Sequence, residues 1–310
     1  MTDSINWRTQ SVVTTLWQAK QKTMLMSTRT LFFFLMTLLA GTAHAENFSI
    51  TPVKDNIYQF SNGTHHAVFI VTDDGIALTD PISTDAARWL KKALETRFEQ
   101  PVRYVIYSHN HPDHVYGGEV FAGPGVTFIA HEWARDDLLA TQAETAIPNL
   151  VFNDEMRLYL GDTPIHLRYH GPNNGKGSIS IHFPSEGVLH VVDWIVLGRM
   201  PYKSLPGYDI RGMINSTRDV LAMDFDILVG GHAERGDKDD VRFYLSYLEQ
   251  LYAAVLDGMQ AGKSLQQLQQ EIRLDQFQSL NMYEAWLPLN IEGVHRNLID
   301  QSYLHLRPRQ

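Results

Sequence analysis

The sequence predicts an α+β fold: two mixed β-sheets packed face to face, with helices on the outside. Three observations carry this. Asp73-Asp74-Gly75 and Pro184-Ser185-Glu186-Gly187 are turn signals, each set between short β-like runs, and they mark two hairpins. Each hairpin is followed by helical stretches that alternate with short apolar strands. No linker rich in Pro, Gly or Ser divides the two blocks.

In the first block a strand is expected over 56–60. Runs 67–72 and 76–79 form the first hairpin, which Asp80-Pro81 ends. Ala87, Leu90, Ala93 and Leu94 recur at helical spacing and predict a helix over 83–98. An apolar strand over 102–107 comes next, and a helix begins near Asp113. Residues 126–130 read as strand and 131–143 as helix. The second block repeats the theme. Strands are expected over 156–160 and 165–169, and the second hairpin pairs 178–183 with 188–192. A helix over 210–223 precedes a strand over 226–229, which runs into Gly230-Gly231-His232. Helices over 239–262, 264–277 and 290–306 close the chain. Residues 46–310 thus read as one domain, with a helical C-terminal region from about 237.

The chain has 310 residues, enough to bury a sizeable core, and its 44% apolar and 20% charged content is that of a globular protein. It has no cysteine, which excludes disulfides and thiolate metal sites. The net charge of −9, with no Lys/Arg-rich run, argues against a nucleic-acid partner and is read as a source of solubility. Residues 1–45 read as an N-terminal extension with a signal peptide. Arg29 precedes a short apolar run over 31–40, and Ala43-His44-Ala45 supplies a small-residue cleavage pattern. The run is too short to span a bilayer comfortably. The expectation is a periplasmic or secreted protein starting at Glu46, without stable membrane insertion once cleaved. Met24 or Met26 is an alternative start.

The chemistry concentrates in His109-Asn110-His111-Pro112-Asp113-His114, directly after an apolar strand. Alternate side chains of an extended chain point the same way, so His109 and His111 can reach one cation. Asp113 and His114 follow where the chain turns into a helix, and they can serve a second cation nearby. Pro112 suits that helix start. Imidazole and carboxylate suit zinc, manganese or iron.

This segment resembles the H-x-H-x-D-H signature of the metallo-β-lactamase superfamily in full, and other matches follow in the family's order. Asp80 ends a strand where the family often has a supporting Asp. Asp193, after Val191-Val192, looks like the Asp that bridges two metals, and Gly230-Gly231-His232 looks like the motif that gives a His to the second metal. The resemblance runs from about Ile50 to Glu234. It implies a four-layer αβ/βα sandwich and one or two metal ions, zinc first, with iron or manganese as alternatives. One departure concerns the first metal position. The family usually has a further His in the region that here reads His170-Gly171-Pro172-Asn173-Asn174-Gly175, and Asn174 stands at its place. Three completions follow, in this order: His109, His111 and Asp193 with water; His170 swinging in; or the Asn174 amide.

The function that this implies is hydrolysis of a small-molecule substrate by metal-activated water, at an ester, thioester, lactone or β-lactam bond. Asp113 is the expected catalytic residue, as ligand, base or both. Tyr202 and Lys203, with Arg199, lie in a loop after Asp193 and are candidates for substrate contact; a solvated loop is the plainer reading. Two other readings remain. One is an iron-dependent sulfur oxidoreductase of the same superfamily, and the other a binding protein that kept the fold without turnover. Of the other histidines, His65 and His66 sit at a hairpin start, a position that the resemblance can place near the site mouth, with an exposed turn as the plainer reading; His182 and His190 read as exposed strand faces. His131, His295 and His305 read as structural or exposed, and Trp286-Leu287 as lining or packing.

Overall fold

In the computed structural model, residues 48–304 are described, so the leader reading over 1–45 lies outside them. Twelve strands form two mixed sheets. The first contains β1 (Phe48–Lys54), β2 (Ile57–Asn62), β3 (His65–Thr72), β4 (Gly75–Thr79), β5 (Val102–Ile106), β6 (Thr127–His131) and β7 (Leu150–Phe152), in that order. The pairs from β1 to β4 are antiparallel, and those from β4 to β7 are parallel. The second contains β8 (Glu155–Leu160), β9 (Thr163–Tyr169), β10 (Ile179–Phe183), β11 (Val188–Val191) and β12 (Ile227–Gly230), ordered β12-β11-β10-β9-β8. There the β11–β12 pair alone is parallel.

Strand alternation explains the layers. In β3, Val68 and Ile70 face the second sheet and meet Ile165, Leu167, Ile179 and Ile181. Ala67 and Phe69 face the other way, onto Leu90 and Leu94 of helix α1 (Thr84–Arg97). Ser83 caps that helix by accepting from the Ala86 N–H. Beyond the second sheet, Leu189, Val191 and Leu228 pack against the C-terminal helices. The result is the four-layer αβ/βα sandwich with outer helices that the sequence predicted.

The shorter helices are α2 (Pro112–Val115) and α3 (Glu132–Ala140). Both start on a histidine N-cap, His111 and His131. His131 is buried and structural. Its Nδ1 accepts from the Trp133 N–H, and its Nε2 donates to the Asn153 carbonyl. Helices α4 (Ile210–Leu221), α5 (Lys238–Gln260), α6 (Leu265–Glu271) and α7 (Tyr283–Ser302) cover the second sheet. Among the described residues no helix is long and apolar enough to cross a membrane.

Several local expectations need correction. Strands β1 and β7 were not foreseen. The helix expected over 264–277 ends at Glu271, and only a short 3₁₀ turn, Asp275–Phe277, follows. The last helix starts at Tyr283, seven residues early, and runs through Pro288, which lies inside it. His182 and His190 are buried rather than exposed. Both faces of the second sheet are covered, so alternation there does not mark a wet face.

Candidate metal centre

The topology gathers the predicted residues at one edge of the sandwich. Parallel β4 and β5 end there, delivering Asp80 and then the His109–His114 segment. Parallel β11 and β12 end there too, delivering Asp193 and His232. Strand β3 runs antiparallel to β4, so its start, His65, lies at the same edge. A backbone bridge joins His65 to His232, and the His66 N–H donates to the Gly231 carbonyl at 2.8 Å. The two sheets are thus tied together at the site.

Asp193 is the hinge of the arrangement. It sits at φ +71°, in the left-handed region that Asp tolerates better than most residues, and is almost fully buried. Its Oδ2 is 3.2 Å from His109 Nε2 and 3.0 Å from His111 Nδ1. Its Oδ1 is 3.0 Å from His232 Nε2 and 3.4 Å from His114 Nε2. Asp113 Oδ2 lies 3.8 Å from each of His114 Nε2 and His232 Nε2, and 3.2 Å from His65 Nε2. Among the described residues, three groups of converging donors result: His109–His111–Asp193, His114–Asp193–His232 and His65–Asp113–His232.

The rings are aimed by what holds their other nitrogens. The Thr64 carbonyl can only accept, so His232 Nδ1 carries a proton toward it at 3.1 Å, and Nε2 is left facing the site. Ser108 Oγ lies 2.8 Å from His109 Nδ1. Asp80 is fully buried; its Oδ1 accepts the Ser108 N–H at 2.9 Å, while Oδ2 faces His114 Nδ1 at 3.6 Å. Gly231 permits a close approach, since a Cβ there would lie 2.5 Å from Val192 Cγ1 and 3.1 Å from His114 Cε1.

Electrostatics sharpen the picture. Burial would raise the Asp193 and Asp113 pKa values, but the surrounding histidines overcome it and hold both carboxyls well below their usual range. Burial opposes a charge on His114, yet Asp193 and Asp80 together raise its pKa. Burial, then the neighbouring His111, push His109 down to about 4. His114 Nε2 and His232 Nε2 face one another at 3.2 Å beside a carboxylate oxygen. The buried His109 Nε2 and Asp193 Oδ1 have no well-directed hydrogen bond. Lone pairs that converge on common points in this way fit divalent cations bound by nitrogen and oxygen.

The other candidates divide. His170 is turned away from the centre. Its Nε2 meets Ser180 Oγ at 2.8 Å, its Nδ1 lies 3.5 Å from Asp219 Oδ2, and its carbonyl accepts from Ser216 of α4. These ties hold the ring inside the fold and correct the expectation that it swings in. Asn174 lies in the loop that covers the first position, where Gly175 packs on the His109 ring. Its carbonyl oxygen accepts from Ser178 Oγ, and its buried amide nitrogen has no partner. Tyr202 packs on Trp286, Lys203 Nζ lies over the Tyr202 ring, and the Lys203 carbonyl accepts from Asn290 of α7. Arg199 stacks on the same indole at 5.4 Å. Its charge acts on buried Tyr208, which also feels Asp193 and Asp113. Sequence reasoning set His65 near the site mouth at most and preferred an exposed turn, whereas its ring meets Asp113. It missed Thr64, which orients His232 from a distant segment, and Ser108, whose hydroxyl meets the neighbouring His109 ring.

This fold and edge geometry define a metallo-hydrolase-like protein, and the chain belongs to the metallo-beta-lactamase superfamily, whose family model matches residues 61–232. The 2,4-dinitroanisole O-demethylase subunit alpha of Nocardioides sp. (strain JS1661) is 26% identical over 215 residues, covering 68% of this chain. The match spans 65% of that relative, just under two thirds of its length. Among solved structures, the stereoselective inverting sec-alkylsulfatase from Pseudomonas sp. superposes with a TM-score of 0.66 at 19% identity, over 84% of this chain and 52% of that one. A metallo-beta-lactamase from Pontibacter korlensis gives 0.58 at 18% identity, over 66% of this chain and 99% of that one. These structural likenesses show the fold.

Proposed function

We propose that this protein is a metal-dependent hydrolase acting on an ester-type bond of a small molecule: an ester, thioester, lactone or β-lactam. The observation that carries the reading is the split of Asp193, whose two carboxylate oxygens face two separate sets of imidazoles. His109, His111 and Asp193 Oδ2 would hold one cation; Asp193 Oδ1, Asp113, His114 and His232 would hold the other. Such cations, zinc first, would supply an acidified water and a polarised scissile bond. Asp113 stays ionised through neutral pH, held by His65 and His114, and can accept a hydrogen bond from the attacking water. Arg199, whose guanidinium stacks on Trp286 and whose buried Nε has no hydrogen-bond partner, is a better candidate for an anionic substrate group than Tyr202 or Lys203. Export from the cytoplasm belongs to the same proposal and rests on the leader pattern over 1–45.

The test is elemental analysis of the purified chain together with a substrate panel. The names of the similar proteins add sulfate esters and aryl methyl ethers to esters, thioesters, lactones and β-lactams. Hydrolysis that falls at least about 100-fold in Asp113→Asn is expected. Unchanged turnover in that variant would remove Asp113 from the chemistry. Bound iron with substrate-dependent oxygen consumption would replace hydrolysis by oxidation.

A further inference from the structure

A loop over 170–178 joins β9 to β10 and lies across the first cation position, with its Asn174 oxygen turned to Ser178. The loop is held at both ends. At its start, the His170 carbonyl accepts from Ser216 Oγ at 3.0 Å, and the Asn173 carbonyl accepts the Asp209 N–H at 2.7 Å. Gly212 of α4 lies against the Pro172 carbonyl, whose oxygen a Cβ there would strike. At the far end, Gly177 sits at φ +65° against the first turn of α3, and a Cβ there would lie 2.8 Å from both the Ala134 nitrogen and His131 Nδ1. Between these anchors Gly175 rests on the His109 ring, with its Cβ position 3.0 Å from His109 Cδ2.

A closed ring of hydrogen bonds ties the loop to the ligand segment. Asn110 is the residue between His109 and His111. Its Nδ2 donates to Asp137 Oδ2 at 2.6 Å, and its Oδ1 accepts the Lys176 N–H at 3.2 Å. Lys176 Nζ donates to the other carboxylate oxygen, Asp137 Oδ1, at 2.7 Å. The Asp137 side chain is 18% exposed against 68% for Lys176, so the carboxylate is the inner member of the pair. Lys176 and Asn110 hold that carboxyl below its usual range, and hydrogen bonds to an ionised acceptor are the strong ones. Three elements meet on Asp137: the ligand segment, the loop and α3, which carries it. A residue between two ligands sets their relative direction through its own backbone angles. An Asn held at both ends of its amide leaves those angles little freedom.

We propose that Asp137 is a positioning residue of the first cation position: through Asn110 it aims His109 and His111, and through Lys176 it keeps the loop closed whether or not a cation is bound. This rests on reading the centre as a metal site. A ligand in the loop would be drawn shut by its own cation. Asn174, with its oxygen on Ser178, is not, and the Asn110–Asp137–Lys176 ring closes the loop from the protein side instead.

Cobalt(II) titration of the full chain tests this, read by visible absorption, beside trypsin cutting after Lys176. The equivalent that His111→Ala loses marks the first position. In Asp137→Ala that equivalent should weaken by about 10–100-fold, with the other within about twofold of wild type. Asn110→Ala should do the same. Wild type should be cut after Lys176 equally slowly with and without cobalt, and Asp137→Ala about tenfold faster in both states, since cutting follows the open population. Lys176→Met and Lys176→Arg alter an exposed amine and decide the matter should Asp137→Ala not fold. Met should weaken the first-position equivalent, and Arg, which keeps the charge, should hold it within about twofold of wild type. Equal binding by the Met and Arg proteins overturns the proposal. So does Asp137→Ala that weakens neither equivalent or both alike, and so does wild-type cutting that slows only once cobalt is bound. Absence of stoichiometric cobalt in wild type would instead overturn the metal-centre reading itself, so the two failures are distinguishable.

Discussion

Asp80→Asn should weaken the second metal position by about 10–100-fold, and the reason lies in the number of protons that Asp80 can accept. Its carboxylate is fully buried and faces two donors at once, the Ser108 N–H at 2.9 Å and the His114 Nδ1 side at 3.6 Å. With Oδ1 taken by the Ser108 N–H, the negative charge of Oδ2 at 3.6 Å favours the His114 proton on Nδ1, which leaves the Nε2 lone pair toward His232 and Asp193. Asparagine has the same shape but one acceptor. If its oxygen keeps Ser108, its NH₂ faces His114 Nδ1, the imidazole proton is driven to Nε2, and the ligand atom is blocked. If the amide flips, His114 keeps its tautomer but the Ser108 N–H is left buried without an acceptor, at a cost of about 1–3 kcal/mol. Either outcome costs roughly 1.4–2.7 kcal/mol of cation affinity, which is the 10–100-fold range. The assay is competition for zinc or cobalt between the protein and a chromophoric chelator, with folding followed by circular dichroism. A folded Asp80→Asn protein with the first equivalent within twofold of wild type would refute the tautomer argument.

Two further outcomes test the scaffold. Gly231→Ala would place a methyl 2.5 Å from Val192 Cγ1 and 3.1 Å from His114 Cε1. The overpacking should cost about 1–3 kcal/mol and lower the melting temperature by several degrees, with weaker metal retention; an unchanged melt would contradict the packing described. His170 is held neutral by burial, its pKa pushed from 6.5 to about 4. The unfolded chain takes up this proton first as pH falls. The stabilisation is therefore whole above pH 6.5, erodes below it and is gone by about pH 4. His170→Gln should lose about 1–2 kcal/mol less stability than wild type between pH 7 and pH 5, measured by urea unfolding, and should keep its metal content. A drop of one metal equivalent would return His170 to the centre.

What could be read from the sequence followed the range of the interactions. The His109–His114 segment is legible because strand, turn and helix start are local, and six residues carry the whole pattern. Both hairpins were legible for the same reason, each marked by its turn residues. Asp193 and His232 could be recognised only through their order along the chain, since nothing local distinguishes an Asp after Val191-Val192. His65 could be set near the site mouth only by analogy, and its contact with Asp113 could not be read at all. Its role depends on β3 running antiparallel to β4 and on a backbone bridge to His232, across 167 residues.

The same limit explains why the sequence showed the asymmetry of the centre from one side only. A missing ligand is visible in a motif, as Asn174 was; a surplus ligand brought in from another strand is not. Counting motif residues therefore leaves the first position one short and the second merely complete. The geometry sets His65 beside Asp113, at 3.2 Å, and gives nothing to the first, where Ser178 occupies the Asn174 oxygen. Donor number and carboxylate charge then act in the same direction. The position built from Asp113, His114, Asp193 and His232 should retain its cation under conditions that strip the other. A chemistry that needs both cations would then depend on metal supply through His109 and His111 alone.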